Sequence, residues 1–466
     1  MKKTMLWMLA AILICGASVF TACSSNDDNP FQPVVQVGID KTNFPDDNFW
    51  NYLLEQDYGK DGVLTEGEIR NITVMDVSEK EIKSLKGIEY FTALRTLNCS
   101  DNELTELDIS GNTALDTLDC RYNELTALDV SKNTALRSLD CGFNELTALD
   151  VSKNTALRSL DCGNNELTSL DLSVNKALTE LRCSGNSLTS LDLSKNTALT
   201  YLQCSGNDLT ALDISKNTAL SVLRCANNEL TSLDLSVYKA LTELSCGSNE
   251  LTSLDISVNK ALTELSCDDN KLTSLDLSKN TELTHLSCDD NKLTALDISK
   301  NTALTYLSCG NNELTALDVS KNTALTVLSC DDNKLTSLDI SKNTALELLR
   351  CSGNDLTALD VSANTSLVYM ACDSNQLATL DLSKNMALKK LLCCNNQISG
   401  QNMDALIGSL RQNESEEFCE FYVMDGNEPN QNVCTKSQAA AAKAKGWLPQ
   451  YWDEDEEAWL EYEGSE

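Results

Sequence analysis

Apolar positions recur along most of this chain with one fixed period. Cys99, Cys120, Cys141 and their successors as far as Cys393 stand 21 residues apart, fifteen copies of one unit. The copy from Leu136 to Ala156 reads L-R-S-L-D-C-G-F-N-E-L-T-A-L-D-V-S-K-N-T-A. A period of this size marks a solenoid, in which each unit buries its apolar face only against its neighbours. The run around Leu97-Asn98-Cys99 alternates inward and outward, the period of a strand. Stacked in parallel about 4.8 Å apart, fifteen such strands predict a sheet roughly 70 Å long with leucine and cysteine ladders inside. Ile72, Met75, Val77, Ile82, Leu85, Ile88 and Phe91 make one further unit, of 22 residues, ahead of the cysteine units.

The polar positions repeat as strictly. Asn102, Asn123, Asn144 and their successors stand where a buried amide can satisfy turn backbone groups from within. A second row, Asn112, Asn133, Asn154 onward, breaks once, at Tyr238. Asp108, Asp129, Asp150 and the rest of that row, fourteen through Asp381, fall on a turn where Asp bonds its own backbone. The cysteines read as buried reduced thiols, because parallel side chains about 4.8 Å apart exceed the usual disulfide Cβ separation of about 3.8 Å. An odd number could not all pair, and cysteine packs as a small hydrophobe where leucine would overfill a 21-residue coil. No histidine or second cysteine row accompanies them as metal ligands would require.

The unit matches the leucine-rich pattern L-x-x-L-x-L-x-x-N-x-L with cysteine in the third apolar slot. It resembles the cysteine-ladder branch of the bacterial internalins. The resemblance implies a leucine-rich-repeat solenoid, an α+β-type superhelix with a parallel sheet on its concave face and mostly turn and extended chain on its convex side. It also implies attachment outside the cell through the concave face, which fold alone does not establish.

The ends differ from the middle. Lys2 and Lys3 precede an apolar run from Met5 to Phe20 that is short for a membrane span and reads as an export signal. Phe20-Thr21-Ala22-Cys23 resembles the lipobox of bacterial lipoproteins, with Phe20 where leucine is commoner. Cys23 is therefore the expected lipidation site, and several acyl chains would anchor the mature chain firmly. Ser24 to Pro30 cannot build a core, and its acidic pair resembles the export tag of surface-displayed lipoproteins. These features divide the chain into a signal peptide (1–22), a tether (23–40), a helical cap (41–71), the solenoid (72–398) and a C-terminal cap (399–466). They place the protein on the outer membrane, exposed at the cell surface and held by lipid alone.

In the first cap, Asp57 to Glu68 resembles an EF-hand loop. Asp57, Asp61, Thr65 and Glu68 supply oxygens, Val63 its carbonyl, and Gly62 the sharp turn, for one structural Ca2+. Gly59 stands where that loop usually has a third carboxylate. In the second cap the pattern predicts a helix over 403–411, a strand over 418–424, a helix over 435–445 and a hairpin over 447–462. Cys419 and Cys434 are close in sequence, and export favours a disulfide between them.

Charge and variation then narrow the function. The net charge of −34, or −36 once Lys2 and Lys3 leave with the leader, repels nucleic acid and anionic headgroups. Three residues before each cysteine is a concave position where the units differ most. Tyr306, Val327, Leu348 and Tyr369 occupy it on four consecutive units, with Tyr201 further back. Contiguous exposed apolar groups mark a contact site, although cross-strand stacking alone is the competing explanation. Asp268-Asp269, Asp289-Asp290 and Asp331-Asp332 crowd like charges on neighbouring units, to be relieved by solvent or a cation. The single histidine, His285, has no unique acid or nucleophile beside it, and no catalytic motif occurs. The chain reads as a monomeric non-enzymatic adhesion protein binding an extracellular protein or glycan. A structural coat protein without a specific ligand is the alternative.

Overall fold

The computed structural model describes residues 36–415, 418–425, 432–453 and 458–465. The leader, Cys23 and most of the expected tether lie outside the described residues. The described chain opens with β1 (Gln36–Gly38), α1 (Asp47–Glu55), β2 (Val63–Thr65) and α2 (Glu66–Asn71). β1 pairs antiparallel with β2, Val37 opposite Leu64, so residues 36–38 belong to the cap and the tether is shorter than its expected end at residue 40. One carboxylate anchors this cap at both ends. Asp46 Oδ1 accepts from the Asn48 and Phe49 amides at the start of α1, while Oδ2 accepts from the Lys83 and Ser84 amides of the first coil. Phe44, Phe49, Leu53 and Phe91 are fully buried together and cover the open end that a solenoid would otherwise expose.

Next comes β3 (Val74–Asp76), followed by fifteen strands of three residues, β4 to β18, from Thr96–Asn98 to Lys390–Leu392. Each runs parallel to and in register with the strand before it, Met75 opposite Leu97 and Leu97 opposite Leu118. The middle residue of each strand and the following cysteine are buried, and all fifteen ladder cysteines are free thiols. Burial pushes their pKa up, because an ionised sulfur there would lose its hydration.

Asparagines stitch each coil to the last. Asn123 Nδ2 donates to the carbonyls of Cys99, Cys120 and Arg121 at 3.0, 3.1 and 3.2 Å, and its Oδ1 accepts from the Leu104 amide at 3.0 Å. The second row is less complete. Asn133 Nδ2 donates to the Ile109 and Asn112 carbonyls at 3.0 Å, but the Oδ1 atoms of this row have no partner among the described residues. Tyr238 interrupts that row fully buried, its hydroxyl donating to Ile214 O where an amide otherwise would. The aspartates from Asp108 to Asp381 each accept from the amide two residues on, as Asp129 does from Ser131 at 2.8 Å.

After α3 (Gln401–Ser409) the chain adds β19 (Cys419–Asp425), α4 (Lys436–Ala444), β20 (Trp447–Asp453) and β21 (Ala458–Glu461). The sheet continues into this cap beyond the fifteen repeat strands: β19 joins β18 with Leu391 opposite Phe421, β20 follows in parallel, and β21 turns back antiparallel. An unpaired edge after Leu392 would leave a row of open amides, which these strands close. Asn432 carries the asparagine ladder one step past the repeats, accepting from Ile398 N and donating to Cys393 O. Thr435 caps α4 in a reciprocal pair with Gln438, and Gly446, at φ 78°, ends the turn after it.

The disulfide expected between Cys419 and Cys434 is not formed; both are free thiols. Cys419 opens β19 and receives Arg411 Nη2 at 3.1 Å, whereas Asn432, two residues before Cys434, donates to Val423 at the strand's other end. Val423 lies four residues, about 13 Å of strand, from Cys419, so the segment leading to Cys434 meets β19 away from Cys419.

Candidate binding surface

The first and third residues of each strand face the concave side. Tyr306, Val327, Leu348 and Tyr369 occupy the first position of consecutive strands, each in register with the next, and all are half-buried. The strip is therefore real as a contiguous surface. His285 extends it by one ring, its centroid 6.0 Å from that of Tyr306 with planes 20° apart. Beside it lies a hollow of about 550 Å3, lined by Tyr306, Val327 and Leu348 on one side and Asp289, Asp331 and Arg350 on the other. At its far end Tyr369 is flanked by cations, with the Arg350 guanidinium 5.3 Å and the Lys390 ammonium 5.9 Å from the ring centre. Lys390 is in turn held by Glu420, 2.7 Å away.

Tyr201 does not join the strip. It stands on β9 (Tyr201–Gln203), five strands before Tyr306, between Arg182 and Arg224 at 4.7 and 5.9 Å from its ring centre. Those guanidiniums are themselves paired with Glu180 and Glu243.

Hydrogen bonds from neighbouring amides and serines offset the repulsion between the Asp-Asp pairs, although burial first, then Asp268 and Asp290, still raise the Asp289 carboxyl. Asp268 accepts from the Asp289 amide at 2.9 Å and from Ser287 Oγ at 2.5 Å; Asp289 accepts from the Gly310 amide and Ser308 Oγ, both at 2.5 Å. Asp331 accepts likewise from the Ser352 amide at 2.9 Å and Ser329 Oγ at 2.8 Å. Burial still pushes the Asp289 and Asp331 carboxyls above their ordinary range. The second member of each pair, Asp269, Asp290 and Asp332, sits at φ 49°, 52° and 50°. That position, two residues past each cysteine, is left-handed in every one of the fifteen coils. It favours glycine, asparagine and aspartate over other side chains.

The loop expected to bind calcium is built differently from a cation cradle. Asp57 turns outward to Lys60, and Asp61 accepts from the Val63 amide at 3.1 Å. Glu68 accepts from the Thr65 amide and hydroxyl, both at 2.8 Å, while Thr65 Oγ1 accepts from the Glu68 amide, so these two residues form the capping box of α2. A Cβ at Gly59 would lie 1.8 Å from the Leu53 carbonyl oxygen, so glycine stands there because α1 leaves no room for a side chain. Among the described residues no three acidic, histidine or cysteine side chains converge on one point. As arranged, the loop does not fit the ion.

No protein-family model matches the chain, and no curated protein does. Among solved structures, the functional domain of InlJ from Listeria monocytogenes, which includes a cysteine ladder, is 37% identical with a TM-score of 0.74, over 79% of this chain and 83% of that one. The chain belongs to the cysteine-ladder internalins. A leucine-rich-repeat protein of Leptospira interrogans is 26% identical to this internalin (TM-score 0.67, 74% of this chain and 95% of the other). Internalin InlF of Listeria monocytogenes, 22% identical with a TM-score of 0.60 over 74% and 99%, shares the fold. Among the described residues of this internalin no helix is long and apolar enough to cross a membrane.

Sequence reasoning found the strip but not what surrounds it. It missed the left-handed position in each coil, and with it Tyr122 and Phe143, which hold that position at φ 52° and 53°. The signal was present: two bulky aromatics in a column otherwise made of Asp, Asn, Gly and Ser.

Proposed function

We propose that this internalin is a non-enzymatic surface lipoprotein that binds an extracellular partner on its concave sheet, in adhesion or host contact. The observation that carries the reading is the in-register strip Tyr306, Val327, Leu348 and Tyr369 beside a hollow of about 550 Å3. Apolar groups adjoining hydrogen-bonded polar walls are what a protein interface presents. The anchor is a lipid on Cys23. Replacing Tyr306 and Tyr369 with serine abolishes retention on an array of extracellular-matrix proteins and glycans without lowering the melting temperature. Lost stability with unchanged retention would leave the strip as cross-strand packing alone. Calcium enters this proposal only in a form where Glu68 exchanges its capping box for the ion, which calorimetric titration with calcium chloride tests.

The uniformity of the fifteen coils favours a second reading, a surface coat whose repeats project from the membrane without a specific ligand. A blank array for the mature chain supports it.

A further inference from the structure

Tyr122 and Phe143 are each 45% exposed at the concave rim, in the left-handed turns of neighbouring coils, their rings 4.2 Å apart and 17° from parallel. Thirteen of the fifteen equivalent positions hold Asp, Asn, Gly or Ser. A bulky side chain there strains the backbone, and the two rings are covered mainly by each other, with nearly half of each left exposed. The exposed pair is thus an apolar bar on a polar rim. Beneath it the third strand positions carry Asp119, Asp140 and Asp161 on three successive strands. Arg121 reaches Asp119 and Asp140 at 3.5 and 3.4 Å, while Arg182, opposite Asp161 on the next strand, pairs with Glu180 and also favours the charged form of Asp161. The Oδ1 atoms of Asp140 and Asp161 accept from the Gly142 and Gly163 amides at 3.1 and 2.9 Å and pack closely on Gly142, where a Cβ would lie 3.4 and 3.3 Å from them.

We propose that this rim is a second docking surface, distinct from the Tyr306–Tyr369 strip, for a lysine- or arginine-bearing segment of a partner protein. A long basic side chain lays its methylene stem along the edges of the two rings and delivers its charge to the acidic row of Asp119, Asp140 and Asp161. Charge complementarity selects this occupant. Four carboxylates, Asp119, Asp140, Asp161 and Glu180, share the two guanidiniums of Arg121 and Arg182 in a chain of net charge −34, which repels anionic ligands. A sugar needs open ring faces, and each of these rings covers one face of the other.

The test uses the mature chain and a fluorescently labelled octalysine peptide, with chitotriose as the neutral-sugar arm. Octalysine would adhere weakly to any surface this acidic, so the deciding variant is charge-neutral: Tyr122→Asn with Phe143→Asn, asparagine already serving at this turn in Asn164 and Asn227. The expected result is a loss of at least tenfold in octalysine affinity at physiological salt, with a melting temperature unchanged or raised. Tyr306→Ser with Tyr369→Ser leaves that affinity intact. Unchanged octalysine binding in the asparagine variant overturns the proposal. So does chitotriose binding that disappears in that variant while octalysine binding persists, which would make the rim a sugar site.

Discussion

The two asparagine rows look alike in sequence but should differ in energy, and substituting one member of each measures the difference. Asn207, 7% exposed, donates to the carbonyls of Cys183, Cys204 and Ser205 and accepts from the Leu188 amide at 3.0 Å. In Asn207→Ala the carbonyls keep donors from Asn186, Asn228 and the Gly185 amide. The Leu188 amide keeps none. A buried orphan N–H costs about 1–3 kcal/mol, and the lost bonds and vacated volume add about 1 kcal/mol, so about 3 kcal/mol is expected. Asn196, fully buried, donates to Leu172 and Asn175 carbonyls that retain the Asn175 and Leu178 amides as donors. Its Oδ1 has no partner, so Asn196→Ala strands no donor and removes an unsatisfied acceptor; about 1 kcal/mol is expected. Because a solenoid loosens locally between neighbouring coils, the assay is native-state hydrogen exchange at the Leu188 amide and its neighbours, with urea midpoints as a check. Equal losses, or a larger loss for Asn196→Ala, would refute the claim that the first row carries the stitching.

Three further expectations follow from the same structure. Tyr238→Asn restores the second row where a ring now occupies an amide's place, and should raise the unfolding free energy by on the order of 1 kcal/mol, read as a higher urea midpoint; a fall would mean the coil has repacked around the ring. Burial and the neighbouring Asp161 push the Asp140 carboxyl up to about 6 from an ordinary value of 3.8. A raised carboxyl contributes stability that is fully present below about pH 4 and lost as pH rises through about 6. Asp140→Asn should therefore stabilise the protein at pH 7.5 by on the order of 1 kcal/mol after solvent screening and not at pH 4, as thermal melts at both values would show. The ladder thiols are fully buried with raised pKa values, so a thiol-specific disulfide reagent should leave all fifteen unmodified in the native chain and reach them only in denaturant. Rapid native reaction would place them nearer solvent.

The sequence disclosed the solenoid because its determinants are local and repeated. Leu97, replaced once by Met370, recurs every 21 residues together with Cys99, Asn102 and Asp108, and a period that strict has few structural solutions. What it disclosed poorly depends on single, non-repeated contacts. Nothing in Asp46 announces that one carboxylate both caps α1 and holds the amides of Lys83 and Ser84. The EF-hand resemblance rests on the spacing of Asp57, Asp61 and Glu68, yet Glu68 also stands three residues after Thr65, the spacing of a capping box, and that use of the carboxylate prevails here. The Asp-Asp pairs misled for a related reason. Two of their partners, Ser287 and Ser308, lie 19 residues ahead on the next coil, where serine looks unremarkable until the register is known.

The ladder also determines where specificity can reside. Interior leucines, cysteines and first-row asparagines are tied to both neighbouring coils, so a change at any of them disturbs two interfaces. The first and third strand positions, the residue after each cysteine and the left-handed turn residue all vary from coil to coil, and all four border the concave face. Since the coils are otherwise nearly interchangeable, a partner must read differences along the sheet, from one coil to the next. The observed differences cluster. Small hydroxyls at Thr117, Ser138 and Ser159 accompany the Tyr122–Phe143 rim, whereas large apolar groups from Tyr306 to Tyr369 accompany a rim of Asn311, Asp332, Gly353 and Ser374. Bulk at the rim and bulk on the floor thus occupy different coils, which leaves each aromatic surface open to its own contact and argues that the two were shaped for different parts of a partner.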